Sequence, residues 1–369
     1  MVKKIGIDAR LISQTGIGTY TRNLLYFLDQ LSQNDIVFYI YLLESEKETF
    51  KFKGKNFIIR TTRSKWHSIN EQYAYLQEIN QDHLDLVHFT YFSYPFFYKK
   101  PFIATIHDLT PLLLKTGRAS TKNPLIYQLK FQAFKYILSK QLNESKAIIT
   151  PSQSVKKQIL DYYGENYKNK IYPIYEGVDM AIQDLNENSS LMKQFNTKFM
   201  IYVGNFYPHK NVDRLIKAYS KIKTDVKLIL LGPVDYFSDS INQLINQMDL
   251  NKKVVLFSTN KKEDLVFFYK NAISLVHPSL SEGFGLPIVD AMYFKLPIIA
   301  SKIPVFQEII GENYTSFDPT AENDITGKIQ KYLDNKNYSK IDYSLRLQKL
   351  SFKKMAEETF LIYKKNLGY

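Results

Sequence analysis

The sequence of 369 residues contains no cysteine. This absence excludes disulfides, thiolate catalysis and zinc sites built from cysteine. It suits a reducing compartment, but exported proteins without cysteine also exist, so the compartment stays open.

Long apolar stretches are missing as well. The chain has no run of about 18 apolar residues, the length that a membrane-spanning helix needs. Its start, MVKKIGIDARLI, lacks the apolar segment of a signal peptide and is typical of a buried first strand. We therefore expect a protein that is soluble or peripheral to a membrane.

The charge is strongly positive and unevenly distributed. The net charge is +13 and the pI is about 9.3. Residues 1–175 carry 24 Lys and Arg against 14 Asp and Glu, whereas the remainder carries 25 against 22. The first half therefore holds most of the surplus, and nucleic acid, anionic lipid and a phosphate-bearing substrate all remain candidate partners.

The length exceeds that of one hydrophobic core, so two domains are expected. Short apolar runs alternate with helix-length amphipathic segments, which predicts two doubly wound α/β units with parallel sheets. The predicted domains are 1–178, joined by a closing helix at 352–369, and 179–351. The predicted strands are 3–9, 36–43, 56–62, 84–90, 101–108, 145–152, 199–205, 226–232, 253–259, 272–279 and 296–302. The predicted helices are 19–31, 70–81, 123–142, 211–222, 238–248, 262–270 and 287–294.

Unusual residues follow several strands, at the sheet edge where parallel sheets bind ligands; two such sheets that face each other would form a cleft. Gly16 and Gly18 open a helix and allow backbone N–H groups to approach an anion, although such a pair alone more often forms a plain turn. The third glycine of a dinucleotide-binding fingerprint is absent. His107 and Asp108 follow another strand, where a structural and a functional histidine are both open.

The segment 277–292, HPSLSEGFGLPIVDAM, has the strongest pattern. Its glycines permit a tight backbone, and Glu282 and Asp290 are placed so that both carboxylates can meet one ligand. Carboxylate oxygens suit vicinal hydroxyls. Lys210, expected in the first turn of a helix, is favourable there when an anion also binds. Phosphate held by lysine and hydroxyls held by acids indicate a nucleotide sugar.

With these motifs the sequence resembles glycosyltransferase family 4, the retaining and metal-independent group with the GT-B fold. The resemblance spans nearly the whole chain and lies closest to the mannosyltransferases of O-antigen and capsule synthesis. The segments that carry it are GIDAR…TGIGTYTRNLL, ATIHDLTP, ITPSQSVKK, YEGVD, YVGNFYPHKN, HPSLSEGFGLPIVDAM, LPIIASKIPVFQEIIG and SFDP.

The resemblance implies an N-terminal acceptor domain, a C-terminal donor domain and a closing helix that returns to the first domain. It implies that Glu282 contacts the donor sugar, that Asp290 holds the ribose, that Lys210 neutralises the diphosphate and that His107 lies near the reacting sugar. The implied catalytic residues are His107, Lys210 and Glu282. The implied donor-binding residues are Gly16, Gly18, Asn205, Lys210, Glu282, Gly283, Phe284, Gly285, Leu286 and Asp290. The implied acceptor-side residues are Asp108 and Tyr20.

Two positions depart from the family pattern. The second acid is usually Glu and is here Asp290, and the position of Asn205 is often Arg, so one phosphate-binding charge is missing. No Asp-x-Asp motif follows a strand, so no metal or other cofactor is expected. The resemblance suggests GDP-mannose as the donor, with rhamnose or N-acetylhexosamine donors as alternatives, a glycan or lipid-linked acceptor and a cytoplasmic location.

The segment 109–143 is rich in lysine and apolar residues at helical spacing. This pattern suits contact with an anionic membrane, at the inner face of the cell membrane, or a core-facing helix with a solvated basic side.

Two other classes of function remain open. A nucleic-acid-binding protein would need basic residues interleaved with exposed aromatics along one groove, a pattern that the segment 109–143 does not follow. A non-catalytic sugar-binding homologue is the remaining class, because of Asp290 and Asn205.

Overall fold

The computed structural model describes residues 2–31, 35–114 and 124–369, leaving out the side chains of 124–127, 129 and 130. These residues divide into two compact units. The first contains the described residues up to Leu112, those from 124 to Gly177, and Ser351–Tyr369. The second contains Val178–Leu350 and the described residues Leu113 and Leu114.

The first unit is built on a seven-stranded sheet in the order β3-β2-β1-β4-β5-β6-β7, in which all neighbouring strands are parallel. Its strands are β1 (Lys3–Asp8), β2 (Ile36–Leu43), β3 (Phe57–Thr62), β4 (Leu86–Phe89), β5 (Phe102–Thr105), β6 (Ala147–Thr150) and β7 (Ile171–Pro173). Its helices are α1 (Ile17–Leu31), α2 (Leu76–Gln81, preceded by a π-helix at Glu71–Tyr75), α3 (Thr110–Leu113), α4 (Pro124–Glu144) and α5 (Gln153–Tyr163). The central strands are buried along their whole length, which explains why they are continuous apolar runs.

The second unit repeats this plan with a six-stranded parallel sheet in the order β10-β9-β8-β11-β12-β13. Its strands are β8 (Phe199–Val203), β9 (Lys227–Leu231), β10 (Val254–Phe257), β11 (Ser274–His277), β12 (Ile298–Ser301) and β13 (Thr315–Phe317). Its helices are α6 (Val212–Ser220), α7 (Tyr236–Gln247), α8 (Lys262–Asn271), α9 (Leu286–Tyr293), α10 (Pro304–Ile310), α11 (Glu322–Asn335) and α12 (Ser344–Leu347).

The closing helix α13 (Phe352–Leu367) belongs to the first unit, as predicted, and packs against α1. Ser351 caps it by accepting a hydrogen bond from the backbone N–H of Lys354. On the buried face the hydroxyl of Tyr363 lies 2.6 Å from Nδ1 of His88 in β4. The amphipathic pattern of this helix therefore serves the core of the first unit.

Helix α4 contains most of the described part of the basic segment 109–143 that was predicted to face a membrane or the core; residues 109–114 include α3, and residues 115–123 lie outside the described residues. Phe131, Phe134 and Leu138 pack into the core of the first unit. The ammonium group of Lys140 lies 3.4 Å from Glu144, with only 14% of its side chain exposed. One face of the described part of the helix thus packs against the core, the other is exposed, and membrane contact stays a prediction. In the described ranges, no helix combines the length and the apolar character that crossing a bilayer requires.

Candidate active site

Each sheet has one point at which the strand order reverses, and ligands bind parallel sheets beyond the carboxyl ends of the strands at this point. In the second unit the point lies between β8 and β11. The loop after β8 carries Lys210 and the loop after β11 carries Glu282. The topology therefore brings the two strongest predicted site residues to one sheet edge.

Backbone and side-chain bonds fasten these two loops together. The side chain of Asn211 donates to the carbonyl oxygens of Pro278 at 3.0 Å and Pro319 at 2.8 Å, and the N–H of Leu280 donates to His209 at 2.8 Å. Asn211 is left-handed, with φ 61°, so the 3₁₀ turn that contains Lys210 ends there and α6 begins one residue later. The prediction that Lys210 lies in the first turn of the helix was therefore wrong by one short turn.

Lys210 and Glu282 form an ion pair with each other. The Lys210 ammonium lies 2.7 Å and 2.8 Å from the two carboxylate oxygens of Glu282. Oε1 of Glu282 also accepts from the hydroxyl of Ser279 at 2.7 Å and lies 3.1 Å from Nε2 of His277. The side chains of Lys210 and Glu282 are 16% and 10% exposed, so a largely desolvated pair keeps some access to solvent.

The protonation states within this cluster follow from burial and charge. Burial acts to raise the pKa of Glu282, but Lys210 and His277 outweigh it and hold the pKa well below its usual value. Burial lowers the pKa of His277, which favours the neutral ring. Because an ionised carboxylate only accepts, Nε2 of the neutral His277 ring carries the hydrogen that points to Glu282.

The glycine-rich turn after Glu282 leads directly into α9. Gly285 has a φ of 97°, and a Cβ there would approach the ring of Phe306 to 2.8 Å, so the position favours glycine on both counts. Leu286 opens the helix with Pro287 beside it, as helix starts prefer. Gly283 and Leu286 are half-buried, whereas Phe284 is 4% exposed, so the Phe284 ring itself is turned into the core.

Asp290 lies in a cluster separate from Glu282. Its carboxylate is 8% exposed and accepts, at 3.4 Å, from the backbone N–H of Asp179, whose own carboxylate lies 2.9 Å from the ammonium of Lys262. Burial and the Asp179 carboxylate raise the pKa of Asp290 to about 8. The two acids of the 277–292 segment therefore have different partners, and a shared ligand for both stays a prediction.

Asn205 follows Gly204 at the end of β8 and brings no charge to the loop. Its carbonyl oxygen accepts from the hydroxyl of Tyr202, and its side-chain Oδ1 is buried with no hydrogen-bond partner among the described residues. Of the two predicted donor-binding residues in this loop, Asn205 and Lys210, only Lys210 therefore carries a positive charge.

In the first unit, the predicted glycines shape the start of α1. Gly16 has a φ of 67°, and no described atom lies within 4 Å of the place that a Cβ would take. At Gly18 a Cβ would overlap the backbone of Ile12. Gly16 is therefore needed for its backbone conformation and Gly18 for close packing, and a role of either towards a phosphate stays a prediction.

His107 is oriented by one hydrogen bond in the first unit. Its Nε2 lies 3.0 Å from the carbonyl oxygen of Thr90, and because a carbonyl only accepts, Nε2 is the donor there. Its Nδ1 lies 3.5 Å from Oε1 of Glu176, which is 3% exposed, so the two groups form an ion pair only when the ring is protonated. The bond to Thr90 fixes the orientation of the ring.

The two predicted acceptor-side residues have structural partners. Tyr20 is 1% exposed; its hydroxyl lies 3.0 Å from Thr105 Oγ1 and its ring packs edge-on against His107 at 4.9 Å. The Tyr20 ring thus packs in the core beside His107, and its predicted place on the acceptor side stays a prediction. Asp108 accepts from the backbone N–H of Thr110 at 2.7 Å, and its predicted role is untested.

Sequence reasoning gave no role to His277, Ser279 or Glu176, although all three lie in segments that it singled out. His277 and Ser279 precede Glu282 by five and three residues, and both contact its carboxylate. Glu176 belongs to YEGVD and lies against His107. His277 and Ser279 could have been predicted as site residues, since polar residues just before an acid in a loop are natural partners for it. Glu176 could not, because its contact with His107 depends on how the strands are ordered in the sheet.

Comparison with known proteins agrees with this arrangement. Residues 15–182 match the model of Glycosyltransferase Family 4, and residues 186–346 match that of Glycosyl transferases group 1. The O-antigen chain mannosyltransferase RfbU of Salmonella typhimurium is 30% identical over 231 residues, which are 61% of this chain and 63% of that relative, so the match spans less than two thirds of its length.

Solved structures share the fold over nearly the whole chain. Sucrose-phosphate synthase from Thermosynechococcus elongatus superposes with a TM-score of 0.78 at 16% identity, covering 98% of both chains. Anabaena HepE in complex with UDP and glucose gives a TM-score of 0.76 at 15% identity, covering 98% of this chain and 100% of HepE. With two Rossmann-like parallel-sheet units, the chain belongs to the family 4 glycosyltransferases of the GT-B fold.

Proposed function

We propose that this protein is a retaining glycosyltransferase that moves a hexose from a nucleoside-diphosphate sugar to a glycan or lipid-linked acceptor in surface polysaccharide synthesis. The observation that carries the proposal is the Lys210–Glu282 pair at the strand-order reversal of the second unit. It offers a cation for a diphosphate and an anion for sugar hydroxyls within one hydrogen-bonded cluster.

In the proposed reaction the bond between the anomeric carbon and the diphosphate oxygen breaks, and its electron pair leaves with the nucleoside diphosphate. The acceptor hydroxyl oxygen forms the new bond on the same face of the sugar, and its proton passes to the departing phosphate oxygen. Lys210 stabilises the charge that develops on the leaving group, which is electrostatic catalysis. Glu282 orients the sugar through its hydroxyls, and Asp290 is proposed to bind the ribose. No metal or cofactor is required in this scheme.

GDP-mannose is the first proposed donor, supported by the mannosyltransferase relative in O-antigen synthesis. UDP-glucose is the alternative that the HepE complex suggests. A thermal-shift panel of nucleoside diphosphates and their sugars discriminates between them, because a ligand that binds only the folded chain raises the melting temperature. We expect a clear stabilisation by one base over the others.

The catalytic role of Lys210 is tested by Lys210→Ala. We expect turnover to fall about 100-fold or more, the loss typical of removing one group that stabilises the transition state. Lys217→Ala is the matched control, because Lys217 in α6 is about half exposed and its ammonium lies 4.0 Å from Asp213 in the same helix. Full turnover in a folded Lys210→Ala protein contradicts the assignment.

A non-catalytic sugar-binding homologue makes the opposite prediction. Such a protein would be stabilised by nucleotide sugars and yet release no nucleoside diphosphate from them, with or without acceptor. Release of the diphosphate by the purified wild-type protein, lost in Lys210→Ala, excludes that class.

A further inference from the structure

The Lys210–Glu282 pair neutralises the two groups that the proposed function needs for the donor. Both oxygens of Glu282 are occupied by the Lys210 ammonium, at 2.7 Å and 2.8 Å. A diphosphate that binds Lys210 must therefore compete with Glu282. The diphosphate and the sugar of a nucleotide sugar therefore do not bind independently, because each of them replaces one partner of the same ion pair.

The remaining partners hold Glu282 through one oxygen only. Ser279 and His277 both contact Oε1, so the carboxylate stays in place when Lys210 moves away. Among the described residues Oε2 accepts from Lys210 alone. When Lys210 turns to a phosphate, Oε2 is left as an acceptor without a donor, in a side chain that is only 10% exposed.

We propose that this pair makes the site selective for the intact nucleotide sugar over the nucleoside diphosphate that remains after transfer. This inference rests on the proposed function. The intact donor supplies sugar hydroxyls that donate to Oε2, and this compensates the carboxylate that loses Lys210. The bare diphosphate supplies none, and a largely buried carboxylate without its counter-charge is costly. Glu282 therefore weakens product binding and helps product release.

The test is the affinity of Glu282→Gln for GDP and UDP, measured by calorimetry. A simple donor-binding residue would leave diphosphate affinity unchanged. This coupling instead predicts a gain, because Gln releases Lys210 for the phosphate. We expect the better-binding diphosphate to bind Glu282→Gln about tenfold more tightly than wild type, the scale of one charge-assisted hydrogen bond discounted for partial exposure.

The same titrations with GDP-mannose and UDP-glucose, without acceptor and with the ligand verified as intact, give the second readout. Wild type should bind the sugar nucleotide more tightly than the matching diphosphate, and Glu282→Gln should reverse this order. Glu263→Gln is the matched control, because it makes the same change at an exposed position of α8 and keeps the Lys210–Glu282 pair. Its diphosphate affinity should stay within about twofold of wild type, since the pair is what matters.

Glu282→Asp replaces Glu282→Gln in the test if the latter does not fold. It keeps the charge on a shorter side chain and so weakens the ion pair. Its diphosphate affinity should also rise, by less than that of Glu282→Gln. Equal or weaker diphosphate binding in the folded variant overturns the coupling and leaves the proposed function standing. Absence of binding of any nucleotide to wild type overturns the proposed function and the coupling together.

Discussion

The strand ends of the two units carry polar clusters of opposite design. In the first unit Asp8, Arg10 and Glu71 are 2–4% exposed, and Arg10 donates to both carboxylates and to the carbonyl oxygen of Ser64. In the second unit Lys210 and Glu282 keep 16% and 10% of their side chains exposed. A closed cluster fixes a loop, whereas a partly open ion pair can exchange its partner for a ligand.

His107 stands between these two designs. Its side chain is 12% exposed, close to that of Glu282, but Nε2 donates to the carbonyl oxygen of Thr90 and Nδ1 faces the buried carboxylate of Glu176. The orientation of the ring is therefore fixed by its neighbours within the first unit. Position at a strand end is thus insufficient to assign a chemical role; the partners that already hold the group decide it.

The largest expected effect comes from a substitution of Arg10, in the buried cluster of the first unit. Arg10→Met removes the only cation of the described cluster and leaves two buried carboxylates, with Tyr75 below losing the guanidinium 3.8 Å from its ring centre. Breaking a buried pair on one side costs about 3–5 kcal/mol, so we expect the melting temperature to fall by about 10 °C in calorimetry. If the second unit binds the donor as proposed, it should still bind GDP or UDP below that temperature.

Arg63→Met is the matched control for this change. Arg63 pairs with Glu44 as well, but the two side chains are 87% and 53% exposed, and exposed pairs contribute little. We expect no resolvable shift of the melting temperature. Equal shifts in the two variants would mean that the closed cluster is no more important than a surface pair.

Asp290 sharpens the comparison of the two units, because its raised pKa makes the second unit less stable as the pH rises. Its pKa is raised to about 8 in the folded chain, from about 3.8 when exposed. Between these values the folded state binds the extra proton, so its stability is complete at low pH and falls as the pH rises towards 8. From pH 6 to pH 8 the loss is about 2–3 kcal/mol, since one pKa unit corresponds to about 1.4 kcal/mol.

Asp290→Asn should remove that loss, because the amide carries no proton to give up. We expect the variant to melt at a higher temperature than wild type at pH 8, with a smaller gap at pH 6. Asp239→Asn, an exposed change in α7, should follow the wild-type pH dependence. A gap that does not grow with pH would show that Asp290 is ionised throughout this range.

Much of this arrangement was accessible from the sequence, for identifiable reasons. The buried parallel strands are continuous apolar runs between polar segments, so their order along the chain could be predicted. Helices α5, α10 and α11 were not predicted; α10 and α11 start without a side-chain cap, and α11 (ENDITGKIQKYLDN) buries only Ile325, Ile329 and Leu333. Short, weakly marked helices are decided by packing that the local pattern does not contain.

The site was predicted to the level of residue types and not of partners. Lys210, Glu282 and the glycines follow from chemistry at strand ends, but the sequence separates Lys210 from Glu282 by 72 positions. The sheet order brings their loops together, whereas Asp290 contacts Asp179, a neighbour that its own segment does not reveal. The burial of Tyr20 beside His107 could not be predicted for a related reason, because it is a tertiary property.

The smallest expected effect concerns the uneven charge of the two halves and the proposed membrane contact. Lys135 in α4 is half-buried beside the rings of Phe131 and Tyr162, and it is a fully described lysine at which to reverse the charge. A basic group near an anionic bilayer contributes about 1 kcal/mol, so Lys135→Glu should weaken binding to phosphatidylserine vesicles about tenfold or less at low salt. Lys252→Glu makes the same charge change at an exposed position of the second unit. A loss confined to Lys135→Glu places the contact on the first unit, equal losses indicate an effect of net charge only, and unchanged binding in Lys135→Glu means that α4 serves the core alone.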